Sequence, residues 1–123
     1  MRYILVIVMA LSFALFSFAD GSTAQIHIER KGKPDNHGQY YIPADMPEVY
    51  YDSDNLEIVL VADGFSSYYY VDIFQTGYTI PVISTQVDGY GDSIDVSSLS
   101  NGYYTINIIS EFNNEFEGTF YIE

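Results

Sequence analysis

Short runs rich in Tyr, Val, Ile and Thr alternate with clusters of Gly, Asp, Asn, Ser and Pro through most of this chain. Aromatic and β-branched side chains suit pleated strands, whereas the residues of the clusters favour turns. Beyond the N-terminal region, no segment sustains the apolar period of an amphipathic helix. The pattern therefore predicts an all-β domain.

Seven strands of this kind follow one another towards the C-terminus and predict an antiparallel β-sandwich with an immunoglobulin-like layout. An additional short strand is expected over residues 25–30, followed by a turn-rich loop over residues 32–38. Pro43 and Pro47 are expected to keep residues 40–47 irregular or at a sheet edge. The seven predicted strands are Glu48–Tyr51, Asn55–Ala62, Ser67–Thr76, Tyr78–Val87, Ser93–Val96, Tyr103–Ser110 and Phe116–Ile122.

The two-residue period of a strand predicts which side chains enter the core. Asp72 lies out of phase with the apolar residues of its strand, so those residues are assigned to the inner face. The same phase argument applies to the last two strands. The predicted inward set is Tyr69, Val71, Ile73, Tyr104, Ile106, Ile108, Phe116, Gly118, Phe120 and Ile122.

The N-terminus has the organisation of a secretory signal peptide. Residues 4–18 form an apolar run of 15 residues after a short basic start, which is too short for a membrane span. Ser22 and Ala24 satisfy the small-x-small rule for cleavage before Gln25, and Ser17 with Ala19 offers a second cut. We therefore expect a periplasmic or extracellular protein whose mature form has no membrane span.

The predicted organisation is a signal peptide over residues 1–24, an N-terminal strand and irregular linker over 25–46, and the sandwich over 47–123. The chain has no cysteine, so neither a disulfide nor a lipidated cysteine is expected. Packing and sheet hydrogen bonds must therefore stabilise a single domain of modest size.

The chain is strongly acidic, with a formal net charge of −13. Its bases after the signal region are Arg30, Lys31 and Lys33. Such a field repels nucleic-acid phosphates and anionic lipids, which bind through Lys and Arg. Nucleic acid is therefore excluded as a partner, whereas basic partners and divalent cations remain compatible. Acidic residues also keep exported β proteins soluble, so the charge alone identifies no ligand.

The last third of the chain carries a recognisable pattern, Leu-x-x-Gly-x-Tyr-x-Ile-x-Ile over residues 99–108, with Gly-x-Phe-x-Ile over residues 118–122 closing it. This pattern resembles the end of a secreted immunoglobulin-like family of gut anaerobes, whose function is unknown. It is also similar to the C-terminal sorting domains of the type-nine secretion system, although the basic residues often seen near the end of those domains are missing here. The resemblance covers residues 47–122 and implies a fold but no catalytic residue.

Three residues of this pattern are expected to be structural. Leu99 can close the end of the sandwich, and Gly102 suits a turn that requires positive φ. Tyr104 is placed as a tyrosine corner, whose hydroxyl bonds to the backbone near residues 99–101.

Enzyme chemistry finds little support in the sequence. His27 and His37 are the only histidines, and the signatures of hydrolases, zinc peptidases and phosphate-binding loops are missing. We therefore expect no enzyme and no cofactor, with calcium as the one ion to consider. Its candidate ligands are Asp52, Asp54, Asp88, Asp92 and Asp95, although Asp-rich turns are common in hairpins and the EF-hand spacing fails.

The sharper hypothesis concerns aromatic side chains on the outer face of one sheet. If the third, sixth and seventh strands are neighbours, then one patch is expected from Tyr68, Tyr70, Phe74, Tyr103 and Tyr121. Such tyrosines also serve simply as cross-strand ladders. As a functional surface, the patch predicts a non-enzymatic module that binds a protein through a sheet face or edge. The alternative is a carbohydrate-binding module, with or without calcium.

Overall fold

The computed structural model describes residues 23–32 and 42–123. The predicted signal peptide therefore falls outside the described residues except for Thr23 and Ala24. Within the described ranges there is no helix long and apolar enough to cross a membrane.

The described residues form strands joined by turns, as the alternating pattern predicts. The strands are β1 (Thr23–Ile26), β2 (Ile28–Arg30), β3 (Glu48–Asp52), β4 (Glu57–Val61), β5 (Tyr68–Gln75), β6 (Ile83–Asp88), β7 (Gly91–Asp95), β8 (Gly102–Ser110) and β9 (Glu115–Ile122).

Two antiparallel sheets pack face to face as a β-sandwich. The five-stranded sheet has the order β2-β9-β8-β5-β6, and the four-stranded sheet has the order β1-β3-β4-β7. Both inner faces contribute to one core, in which Val49, Ile58, Val71, Ile106 and Phe116 are fully buried. The all-β prediction is confirmed.

The N-terminal segment belongs to both sheets. β1 pairs with β3, the chain breaks at His27, and β2 then pairs with β9. Ile26 and Ile28 on either side of the break are buried. This differs from the predicted division at residue 47, because proximity in sequence does not reveal that residues 23–30 close one side of the sandwich.

The fourth predicted strand, Tyr78–Val87, is wrong in its first half. The chain turns at Gly77, with a φ of 93°, and regular pairing resumes only at Ile83. Pro81 has no N–H to donate, so the intervening residues do not continue the ladder, although the N–H of Val82 still bonds to Ile73 O at 2.7 Å.

The predicted facing is confirmed for all three strands that were assigned. Their inward side chains and Gly118 are buried, while Tyr70, Tyr103 and Tyr121 are exposed. The two-residue alternation was sufficient to predict which side chains face the core, because each of these strands has one apolar and one polar face.

The tyrosine corner is present. The Tyr104 hydroxyl donates to the backbone oxygen of Ser100 at 2.7 Å. Leu99 is partly buried against the core, and Gly102 has a φ of 148°. These residues fix the connection into β8, which is the central strand of the larger sheet.

Alkaline pH is expected to destabilise the fold through Tyr69, whose hydroxyl donates to Asp45 O at 2.8 Å. Burial, followed by the charges of Asp45 and Asp63, raises the pKa of Tyr69 to about 12. Because the folded pKa lies above the unfolded value of about 10, the stabilisation is complete below pH 10 and is lost as the pH rises to about 12. Urea unfolding at pH 8, 10 and 11 measures this loss of stability, and the Tyr69→Phe variant should lose less stability over the same pH range. An equal decline in that variant would contradict the assignment.

Candidate functional site

The five aromatic residues of the predicted patch lie on the outer face of the five-stranded sheet. β5, β8 and β9 are neighbours, as the hypothesis required. Tyr103 pairs in register with Tyr121, and Phe74 pairs with Thr105. The sheet therefore brings all five to one face, although not to one spot.

They form two separate pairs with Phe74 between them. The ring centroids of Tyr103 and Tyr121 are 4.7 Å apart, and those of Tyr68 and Tyr70 are 5.2 Å apart. Tyr70 lies opposite Ile109, so roughly 20 Å of β8 separates the two pairs at about 3.4 Å per residue. A large ligand or partner can contact both pairs, but a single sugar ring cannot.

The aspartates predicted as calcium ligands do not converge. Asp52 accepts hydrogen bonds from the N–H of Asp54 at 3.0 Å and from Asn55 Nδ2 at 2.8 Å, which makes it a turn cap between β3 and β4. Asp95 accepts from the Ser97 N–H at 2.9 Å, and that backbone hydrogen bond lowers the pKa of its carboxyl group.

The other two aspartates lie towards the opposite end of the sandwich. Asp88 pairs with Tyr68, and Asp92 pairs with Leu60, three residues along β4 from the partner of Asp95. Among the described residues, no group of three or more His, Asp or Glu side chains is arranged to hold a metal ion. Asp88 accepts a hydrogen bond from the Tyr90 N–H at 2.8 Å and so caps the turn between β6 and β7, a position that favours Asp. Asp92 accepts from the N–H of the next residue, Ser93, at 2.8 Å.

A groove crosses the outer face of the larger sheet beside the Tyr103 and Tyr121 pair. It consists of two adjoining hollows of about 400 Å³ and 380 Å³, which share Thr105 and Glu117. The first hollow is also lined by His27 and Glu29. The second hollow is also lined by Lys31, Phe74, Gln75, Tyr78 and Asn107.

A polar row crosses this face from one sheet edge to the other, and its members Glu29, Glu117 and Asn107 line the groove. Register places Glu29 of β2 opposite Glu117 of β9, and Glu117 opposite Asn107 of β8. Asn107 in turn lies opposite Asp72 of β5, and Asp72 opposite Ser84 of β6. We call these five residues the central polar row.

The two-residue period predicts Asp72, Asn107 and Glu117 on the outer face, but it does not reveal this row. The row is defined by cross-strand register between segments up to 88 positions apart, from Glu29 to Glu117, and no local pattern encodes that register. The acidic residues at alternate positions of β9, Glu115 and Glu117, were the one available signal.

Comparisons with known proteins agree with the fold. A solved structure described as a DUF3244 family protein with an immunoglobulin-like β-sandwich fold, from Bacteroides vulgatus, superposes with a TM-score of 0.62 at 12% sequence identity. The match covers 82% of this chain and 99% of that protein. This chain has an immunoglobulin-like fold. No family model matches the sequence, and no curated protein matches it.

The immunoglobulin-like sandwich is a fold that serves many unrelated functions. At this level of identity the likeness concerns the fold alone. Any function must therefore be argued from the surface of this sandwich, and above all from the outer face of its five-stranded sheet.

Proposed function

We propose that this chain is an exported, non-enzymatic interaction module that binds a protein partner through the outer face of its five-stranded sheet. The observation that carries the proposal is the Tyr103 and Tyr121 pair, which is 66% and 47% exposed although the two rings contact each other. Tyrosine offers a large, rigid contact area with a polar tip and is enriched in protein interfaces.

The face supports binding better than the sheet edge does. The segment that leads into edge strand β6 contains Pro81, which cannot donate a backbone hydrogen bond to an added strand. Tyr70 at the other end of the face is 51% exposed, so both ends carry aromatic contact area. A partner laid along the face meets both pairs and the groove between them.

The test is capture of a partner from the periplasm or culture medium of the source organism. The double variant Tyr70→Ser and Tyr103→Ser is expected to lose the captured protein while its thermal midpoint stays near that of the parent. Tyr90→Ser is the matched control, because Tyr90 is 72% exposed but lies in the turn between β6 and β7. Equal capture by the double variant, or no captured protein, would overturn the proposal.

The competing carbohydrate-binding function is separated by a glycan array measured with and without chelator. Binding of a glycan that vanishes with chelator would replace the protein partner by a calcium-assisted sugar. The absence of glycan binding at any calcium concentration supports the protein partner. The similarity to type-nine sorting domains stays a prediction from the motif of residues 99–122.

The proposal includes export, with a signal peptide that is removed by cleavage. β1 begins at Thr23, so cleavage after Ala19 leaves β1 whole, whereas cleavage after Ala24 removes two residues that pair with Asp52 and Tyr51. Intact mass of the secreted protein measures the cut. A secreted chain that retains residues 1–19 would contradict a cleaved signal peptide.

A further inference from the structure

The groove on the five-stranded sheet has an unusual arrangement of charge. Glu29 and Glu117 lie directly opposite each other, and like charges in that position destabilise a sheet. Lys31 offsets this only in part, because its Nζ lies 3.2 Å from Glu115 Oε2 but 4.0 Å from Glu117 Oε2. Glu29 contacts His27, whose Nε2 lies 3.4 Å from Glu29 Oε2. One lysine and one histidine thus face three carboxylates, and the groove keeps a net negative charge when the histidine is neutral.

Asn107 adds a second, independent observation. Its Oδ1 atom is buried within the central polar row and has no hydrogen-bond partner in the structure. Buried polar atoms without a partner are uncommon and costly, so each one requires an explanation. Asn107 also lines the second hollow, so a turn of its side chain would present this acceptor, beside the Glu117 carboxylate, to a hydrogen-bond donor that carries positive charge.

The opposite side of the same groove is apolar. Phe74 and Tyr78 line it, and the segment beyond them leaves Ile80 and Val82 exposed, Ile80 to 78%. Aromatic rings also attract cations placed over their faces. The groove thus presents an apolar wall and an acidic wall, with Thr105 and Asn107 between them.

We propose that this groove binds the Lys or Arg side chains of an extended segment of the partner protein. The aliphatic stem of such a side chain packs on Phe74 and Tyr78, while its cationic head reaches Glu117 and Asn107. This inference rests on the proposed function and specifies that the partner presents a basic segment. It also gives a reason for keeping two glutamates opposite each other.

The net charge of the chain favours the same occupant. A cationic segment is attracted by a domain of net charge −13, and this attraction accelerates its encounter with the groove. A neutral oligosaccharide can bond to the amide and carboxylate groups but gains nothing from the uncompensated charge. The charge therefore favours a cationic segment over a glycan, and the experiment below distinguishes the two.

The experiment is an NMR titration of the ¹⁵N-labelled mature domain at physiological salt. The probe is an acetylated octapeptide of alternating Ser and Arg, and the same peptide with citrulline in place of Arg is its neutral control. We expect the Arg peptide to shift the amide signals of Thr105, Asn107 and Glu117 and those of residues 74–79. The citrulline peptide should bind at least about tenfold more weakly, since it has no positive charge to pair with the Glu117 carboxylate.

Two charge-matched variants locate the effect. Glu117→Gln should weaken binding of the Arg peptide about tenfold, whereas Glu48→Gln, on the outer face of the other sheet, should leave it within about twofold. Asn107→Leu replaces the orphaned acceptor with an apolar group and should also weaken binding.

Several outcomes would overturn the inference. They are equal binding of the two peptides, equal loss in both glutamate variants, and shifts at these amides with a neutral oligosaccharide but not with the Arg peptide. If partner capture still depends on Tyr70 and Tyr103 in any of these cases, the binding face stands and only its cationic specificity fails. If capture fails as well, the proposed function fails with it.

Discussion

Replacing Gly118 by valine is expected to detach the N-terminal segment from the sandwich. A Cβ at this position would lie 2.6 Å from His27 O and 2.8 Å from Ile28 Cγ2, where the chain passes from one sheet to the other. The obstacle at His27 is backbone, which cannot rotate away. We expect the free energy of unfolding to fall by about 3 kcal/mol, since overpacking and the loss of buried Ile26 and Ile28 act together.

Valine has a higher strand propensity than glycine, which opposes this effect by at most about 1 kcal/mol. The steric clash is therefore expected to outweigh the gain in strand propensity, so that Gly118→Val is less stable than the parent. Urea unfolding measures the change, and hydrogen exchange at Ile26 and Ile28 shows whether this segment opens first. Thr119→Val, at the next and exposed position of β9, is the control and should stay within about 0.5 kcal/mol of the parent. Stability of Gly118→Val within the same margin would contradict the close crossing.

Replacing Asp45 by alanine is expected to release the loop that closes the end of the sandwich near Tyr69. Asp45 is only 2% exposed, and its Oδ2 accepts hydrogen bonds from Asn114 Nδ2 at 2.8 Å and from Ser110 Oγ. Alanine would leave the buried Ser110 hydroxyl and the partly buried Asn114 amide without this acceptor. The expected loss is about 2–3 kcal/mol, because orphaned buried groups cost more than a hydrogen bond contributes.

The matched control for this loss is Asp54→Ala, which removes an exposed carboxylate of the β3–β4 turn and should cost less than about 0.5 kcal/mol. Asp45→Asn should fall between the two, since it keeps an acceptor oxygen but loses the charge. Chemical unfolding of the three variants measures the order of their stabilities. An Asp45→Ala variant as stable as Asp54→Ala would show that the buried network contributes nothing.

The sequence was informative wherever a strand has one apolar and one polar face. For that reason the facing of β5, β8 and β9 could be predicted. The adjacency of the three aromatic strands was expected from the immunoglobulin-like layout, and the tyrosine corner at Tyr104 from the motif of residues 99–108. The two-residue period converts directly into burial, and the turn motif before β8 is local.

Long-range pairing could not be predicted in the same way. Nothing local indicates that residues 23–30 change sheets at His27, or that Gly118 is needed to admit them. The burial of Asp45 depends on donors at Ser110 and Asn114, more than 60 residues away. The central polar row likewise exists only once five strands are in register, and a one-residue slip would remove it.

Only part of the candidate site could be predicted, because the rest depends on the register between strands. The five aromatic residues were placed on the correct face, but their division into two pairs depends on the stagger between β5 and β8. The acidic groove between the pairs was missed. The aspartates predicted as calcium ligands had a local explanation, since Asp52 and Asp95 both accept hydrogen bonds from turn backbone.

Photocrosslinking in the source organism tests the binding face most directly. A p-benzoylphenylalanine residue replaces either Tyr103, on the five-stranded sheet, or Tyr90, which is similarly exposed outside the face. We predict a crosslinked adduct of one discrete mass from position 103 and none from position 90. Adducts of equal yield at both positions, or an adduct from position 90 alone, would contradict the assignment of partner binding to this sheet face.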